Sequence, residues 1–159
     1  MAEGILRHKL RGMNLSVYTD SAGTSGFHIG QTPDSRAVDC LKEYGIDISD
    51  LRSRQFNKSD FAKYDLIYVM DRSNYNDVIE MARTPEDESK VAMIMNETNP
   101  ETPIDVPDPW YGDEAGFHDV YRMLDEACDV IVRKIAGKNW QDFTFNWHGT
   151  VIDCGPVSF

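Results

Sequence analysis

The segment Leu66-Ile67-Tyr68-Val69-Met70 decides the fold, because it is an unbroken apolar run with the length of a single β-strand. A second run of this kind, Val91-Ala92-Met93-Ile94-Met95, follows after a helix-length interval. Strands that are apolar at every position are typical of a parallel sheet buried on both faces. The sequence therefore predicts an α/β domain in which helices cover both faces of a parallel sheet.

Helical patterns alternate with these strands along the chain. Asp71 directly follows the first apolar run and can cap a helix, and Thr32-Pro33 can open another helix that ends at Gly45. Residues 139–159 have no helical period, so we predict a domain over 1–137 and a tail of unknown structure over 138–159. Spacing and turn residues predict the remaining elements as helices over 2–12, 59–64 and 115–136, a strand over 15–20, a polar turn over 84–89 and a loop over 96–113.

Charge and cysteine content narrow the classes of partner. The 27 acidic and 16 basic residues give a formal net charge of −11, which repels nucleic acids and anionic membranes. Cys40, Cys128 and Cys154 are widely separated, so neither a zinc site nor a disulfide framework is expected. Arg52 and Arg54 are expected to pair with carboxylates. No apolar stretch of membrane-spanning length and no signal peptide are recognisable, which predicts a cytoplasmic protein.

Short motifs along residues 2–136 add a more specific prediction. In their order and approximate spacing they resemble the low-molecular-weight protein tyrosine phosphatases. The resemblance implies a phosphatase I-like fold and hydrolysis of phosphotyrosine, in a protein or as a small aryl phosphate, without metal or cofactor. The motifs are Ala2-Glu3-Gly4-Ile5-Leu6, Asp20-Ser21-Ala22-Gly23-Thr24, Pro33-Asp34-Ser35-Arg36-Ala37, Tyr44-Gly45-Ile46-Asp47-Ile48, Arg52-Ser53-Arg54-Gln55, Asp65-Leu66-Ile67-Tyr68-Val69-Met70-Asp71 and Pro107-Asp108-Pro109-Trp110-Tyr111-Gly112.

The same resemblance assigns roles to individual residues. Asp108 matches the general acid, which protonates the leaving tyrosine oxygen. Trp110 and Tyr111 match the aromatic pair that walls the substrate pocket, and Phe27 matches a position on the opposite wall. Ser21 matches a hydroxyl that supports the phosphate-binding loop. Each assignment is a prediction from the family.

The nucleophile that the family requires is missing. Its thiolate attacks phosphorus from a loop with the pattern Cys, five residues, Arg. Ile46 and Lys134 stand six positions after Cys40 and Cys128, and Cys154 has no residue at that distance. Because the chain begins with residues that follow this loop in the family, the resemblance predicts a protein truncated at its first strand, through a start codon assigned too late. Such a chain should be inactive or nearly so.

Two other functions stay open. A genuine product of this length would be a non-catalytic phosphatase-like binding or regulatory module. The family's first strand is central in the sheet, so its neighbours would need a new partner. Either Thr150-Val151-Ile152-Asp153 enters the sheet, or two chains form a homodimer through the gap. An arsenate reductase-like protein is the third alternative, although the late pair of redox cysteines that it needs is absent and Asp108-Pro109-Trp110-Tyr111 favours the phosphatase.

Overall fold

A computed structural model describes residues 1–26, 29–111, 114–137 and 150–153, with Tyr111 and 150–153 described through their backbone alone. Two short 3₁₀ helices, Ile94–Glu97 and Pro109–Tyr111, interrupt the segment between the third strand and the last helix. The described α-helices are α1 (Ala2–Gly12), α2 (Ser35–Glu43), α3 (Asp60–Lys63), α4 (Arg72–Met81), α5 (Pro85–Ser89) and α6 (Glu114–Gly137). The described strands are β1 (Thr19–Ala22), β2 (Leu66–Val69), β3 (Val91–Met93) and β4 (Thr150–Asp153).

The sheet is parallel, with the strand order β1-β4-β2-β3. Strand β4 is in register with Thr19–Ala22 of β1 on one side and with Leu66–Val69 of β2 on the other. The segment Thr150–Asp153 therefore lies inside the sheet, in the first of the two arrangements predicted for a chain that lacks the family's first strand. It occupies the gap that the sequence offered for a homodimer.

The side chains of β2 confirm that both faces of the sheet are covered. Ile67 and Val69 belong to a buried cluster with Phe61 of α3 and Val78 of α4. Tyr68 instead belongs to the larger cluster on the other face, which is built mainly from α1, α2 and α6. Because alternate residues of a strand point to opposite faces, this division explains why the whole run is apolar.

Most predicted helices and strands are confirmed, including α1, β2 and α6. The carboxylate of Asp71 caps α4, as predicted, and accepts a hydrogen bond from the backbone N–H of Asn74 at 2.7 Å. The predicted strand over 15–20 is wrong in its bounds. The pairing with β4 begins at Thr19, so the strand runs over Thr19–Ala22.

Two helix starts also differ from the prediction. The N-cap of α2 is Asp34 and not Thr32, because the Asp34 carboxylate accepts from the backbone N–H of Arg36 at 2.8 Å. The predicted polar turn over 84–89 contains the short helix α5. Thr84 caps that helix with Pro85 in its first turn, and acidic side chains near a helix N-terminus are favourable.

Candidate active site

The carboxyl ends of three strands meet at one edge of the sheet. Ala22 of β1, Asp153 of β4 and Val69 of β2 are aligned in register, so these three strands end side by side. Ligands of open parallel sheets bind outside this edge. The candidate active site therefore lies at this edge.

The loop that carries Asp108 is attached to this edge. The backbone N–H of Val106 donates to the carbonyl of Met70, directly after β2, at 2.9 Å. The backbone N–H of Arg72 donates in turn to the Asp105 carboxylate at 3.1 Å. These two bonds hold the loop against the end of β2, so Asp108 projects from a fixed base.

Asp108 itself is exposed and stands at the start of the 3₁₀ helix Pro109–Tyr111. Its Oδ1 accepts a hydrogen bond from the backbone N–H of Trp110 at 2.9 Å. A side chain that accepts from the second residue after it forms a tight local turn. The turn orients the carboxyl group while leaving it open to solvent.

The indole of Trp110 remains 43% exposed although it follows this constrained turn. Arg36 of α2 lies beside it, with its guanidinium carbon 5.4 Å from the indole centroid. The loop also lies against α6, where a Cβ at Gly116 would come within 3.7 Å of the Pro109 side chain. An exposed flat ring on a supported loop suits contact with an aromatic substrate.

Phe27 and the side chain of Tyr111 lie outside the described residues, so their roles as pocket walls stay predictions from the family resemblance. Cys154, which has no arginine six positions after it, also lies outside the described residues.

Ser21 is hydrogen-bonded to the first helix in this structure. Its hydroxyl donates to the Glu3 carboxylate at the start of α1, at 2.5 Å, and both residues are buried. Burial is the main cause that raises the pKa of Glu3, and the Asp20 carboxylate adds to it, while the Ser21 hydrogen bond opposes the shift. This bond links β1 to α1, and the support of a phosphate loop by Ser21 stays a prediction.

Arg54 pairs with carboxylates, as the sequence predicts. Its guanidinium contacts Asp20 and the fully buried Asp60, each at 2.9 Å. Burial opposes the charge of Arg54, but the Asp60 hydrogen bond and the charge of Asp20 outweigh it and raise the pKa. Arg52 donates to backbone carbonyls of its own turn. Arg54 therefore stabilises the fold more than it adds positive potential for a ligand.

The two described cysteines have the properties of buried apolar residues. Cys40 is 5% exposed on α2 and Cys128 is fully buried on α6. Burial raises the pKa of both thiols, that of Cys128 to about 12. Because the thiolate is the nucleophilic form, neither group is suited to attack phosphorus at neutral pH.

A pocket of about 680 Å³ opens near the same edge. Its lining includes Thr24 and Ser25, which follow β1, together with Asp71 and Asn74 at the start of α4. Asn74 is buried, and its Oδ1 has no hydrogen-bond partner among the described residues. The pocket gives this edge room for a ligand.

Within residues 1–26, 29–111, 114–137 and 150–153, no group of three or more His, Cys, Asp or Glu residues is placed to hold a metal ion. In the same residues no helix has both the length and the apolar character needed to cross a membrane.

The sequence missed two residues of this site. Arg36 and its partner Asp34 connect α2 to the Trp110 loop, yet two charged residues in a helical first turn usually indicate a solvated surface. The sequence signal at this place is the family motif Pro33-Asp34-Ser35-Arg36-Ala37, which by itself does not indicate a contact with Trp110.

An α/β domain with a carboxylic acid and an exposed indole on one loop at the carboxyl edge of its parallel sheet fits the class of phosphate-ester hydrolases. The sequence profile described as low molecular weight phosphotyrosine protein phosphatase matches residues 1–141. The chain belongs to this family.

Known relatives agree with that assignment. A low molecular weight protein-tyrosine-phosphatase of Synechocystis sp. is 39% identical over 136 residues, which cover 84% of this chain and 86% of the relative. The human low molecular weight phosphotyrosine protein phosphatase is 32% identical over 84% of this chain and 85% of its own length. The crystal structure of a protein tyrosine phosphatase from Entamoeba histolytica superposes with a TM-score of 0.78, at 32% identity, over 85% of this chain and 86% of that one.

Proposed function

We propose that the edge of the sheet beside Asp108 is a phosphotyrosine site and that Asp108 is its general acid. The attachment of the Asp108 loop to the end of β2 carries this proposal, because Asp108 is exposed on that loop and ligands of parallel sheets bind outside the carboxyl ends of the strands. In the family's reaction the leaving tyrosine oxygen takes the proton of such a group as the P–O bond breaks.

The substrate that fits this site is a phosphorylated tyrosine in a protein or a small aryl phosphate. The exposed ring of Trp110 forms one wall, and we propose that Tyr111 and Phe27 complete the slot. A slot between flat rings accepts a phenyl ring and leaves the short side chain of phosphoserine poorly packed.

Without the family's nucleophile, Asp108 and the aromatic residues cannot carry out the hydrolysis by themselves. Phosphotyrosine hydrolysis in the family passes through a cysteinyl-phosphate intermediate, and none of the cysteines in these 159 residues has the arginine partner of the phosphate loop. We propose that hydrolysis belongs to a form of the protein that carries this loop, and that the 159-residue chain by itself is inactive or nearly so.

Phosphate release from phosphotyrosine and from an aryl phosphate tests this proposal, with Asp108→Asn beside the unchanged chain. The expected result is little or no turnover by either protein, with retained binding of a non-hydrolysable aryl phosphonate that Trp110→Ala weakens. Asp39→Asn, on the exposed side of α2, is the matched control. Turnover that survives Asp108→Asn contradicts the assigned acid.

A non-catalytic phosphatase-like module is the second candidate, favoured by two observations. Strand β4 fills the sheet, and the Ser21 hydroxyl is already bonded to Glu3. A monomer that melts cooperatively and binds phosphotyrosine peptides without hydrolysing them would support this function. A homodimer in solution would instead indicate that a second copy contributes to the sheet.

We also propose a cytoplasmic location for the protein. The support for this location is the state of the cysteines. Cys40 and Cys128 are free thiols, as is usual in a reducing compartment. Fractionation of cells that express the chain would test it, and recovery in a membrane or secreted fraction would contradict it.

A further inference from the structure

One guanidinium group joins three elements around the Asp108 loop. Arg36 Nε and Nη2 donate to the two oxygens of Asp34 at 3.1 and 2.8 Å, which fixes the plane of the group. Its carbon lies 5.4 Å from the centroid of the Trp110 ring and 4.8 Å from that of Phe117. Arg36 therefore contacts the N-terminus of α2, the acid loop and the first turns of α6 at once.

The remaining donors of Arg36 point along the same loop. Nη1 and Nη2 both lie 3.5 Å from the carbonyl oxygen of Trp110, at the outer limit of a hydrogen bond. The other side of the group is held by Asp34, which also caps α2 through the Arg36 N–H. Because its guanidinium contacts Asp34 on one side and the Trp110 carbonyl on the other, Arg36 is placed to support the loop and not to bind a phosphate group.

We propose that Arg36 is a positioning residue that holds the turn Asp108–Trp110, and with it the general acid and the aromatic wall, against α2 and α6. The proposal rests on the proposed function for the roles of Asp108 and Trp110. The placement itself rests on the contacts of Arg36, so it can be tested without any catalysis.

Guanidinium chemistry explains why this position suits an arginine. A planar, delocalised cation stacks on aromatic rings and engages a carboxylate through two parallel bonds at the same time. A lysine at position 36 keeps the charge but offers a single point of contact. We therefore expect Arg36→Lys to restore only part of what Arg36→Ala removes.

Hydrogen exchange of the backbone amides over 106–111 is the first measurement. The Trp110 amide donates within the loop and the Val106 amide donates to the carbonyl of Met70, directly after β2, so their protection reports how firmly the turn is held. Arg36→Ala should accelerate their exchange about tenfold, the scale expected for the loss of a partly desolvated cation–π contact.

Two further variants separate position from folding. Asp34→Asn keeps a good N-cap for α2 but removes the charged partner, and it should accelerate the same amides. Arg122→Ala removes an exposed arginine of α6 that pairs only with Asp119 among the described residues, and it should leave them unchanged. Unchanged exchange in both Arg36→Ala and Asp34→Asn would overturn the proposal. Equal acceleration over the whole chain would also overturn it, because that pattern reports lost stability.

Turnover gives the second measurement, in a form of the protein that hydrolyses phosphotyrosine. A poor leaving group needs the general acid, whereas a nitrophenolate leaves without it. Arg36→Ala should therefore lower kcat for phosphotyrosine about tenfold more than for nitrophenyl phosphate. Equal loss on both substrates would contradict a positioning role. If Asp108→Asn also lacks this dependence on the leaving group, the proposed function fails while the exchange result still decides the placement of the loop.

Discussion

Strand β4 can be tested by proline substitutions, because its pairing on both sides predicts a result that an edge strand would not give. Val151 is in register with Asp20 and Ile67, and the next residue, Ile152, with Ser21 and Tyr68. In a parallel sheet, alternate backbone N–H groups of a central strand bond to opposite neighbours. Val151→Pro and Ile152→Pro should therefore each break one of the two ladders.

The size of the effect follows from the lost bond. Each proline removes one ladder donor, worth about 1 kcal/mol, and leaves a buried carbonyl unpaired at a cost of about 1–3 kcal/mol. The free energy of unfolding should fall by about 2–4 kcal/mol, out of a total of about 5–15 kcal/mol for a typical domain. For a chain of this size the melting temperature should decrease by about 5–15 °C.

Urea unfolding followed by circular dichroism measures both variants, with Val151→Ile as a control that keeps the backbone N–H and a β-branched apolar side chain. In an edge strand, proline is tolerated where the N–H faces solvent. Wild-type stability of either proline variant would therefore refute the central position of β4. Comparable losses in both proline variants, with a smaller change in Val151→Ile, are the expected result.

Three smaller predictions concern the first helix and the buried thiols. Gly4→Ala should destabilise the fold by about 1–3 kcal/mol in urea unfolding, because its Cβ would stand 2.2 Å from the buried Cγ2 of Ile48; unchanged stability would contradict the close approach. The pKa of Glu3 in the folded state is raised above its ordinary value of 4.5, so the folded chain holds the Glu3 proton to a higher pH than the unfolded chain does. The free energy of unfolding should therefore fall as the pH rises from 4.5 through the folded-state pKa. Glu3→Gln should lack this decline, and parallel pH profiles of the two proteins would refute the prediction. The thiol of Cys128 should resist a thiol reagent at pH 7 until the chain unfolds, and rapid labelling of the native protein would show that its burial is wrong.

The sequence predicted the elements whose signal is local. The apolar run over 66–70 and the long amphipathic pattern of α6 each identify an element without reference to the rest of the chain. Strand β1 has the polar residues Thr19, Asp20 and Ser21, so its bounds depend on its partner. That partner lies near the other end of the chain, in a segment without periodicity, and its pairing is a tertiary effect that propensity does not encode.

In the candidate site, too, the sequence identified local motifs but not the contacts that depend on the folded structure. The motif around Asp108 and Trp110 could be recognised from residue order, because a family resemblance depends on the order of residues along the chain. What each side chain contacts is a property of the folded state. Ser21, for example, donates to Glu3, a carboxylate whose burial no local pattern indicates. Arg36 reaches across to Trp110 through a distance in space that the sequence does not express.

The position of β4 also constrains the order in which the protein folds. Strands β1 and β2 are synthesised early, but neither can complete its hydrogen bonding until Thr150–Asp153 has left the ribosome. Contacts between residues so distant in sequence form slowly, since their loop-closure entropy is lost before the pairing compensates it. During that interval the two unpaired strand edges are exposed to other chains, so a chaperone that shields them should raise the yield of folded protein.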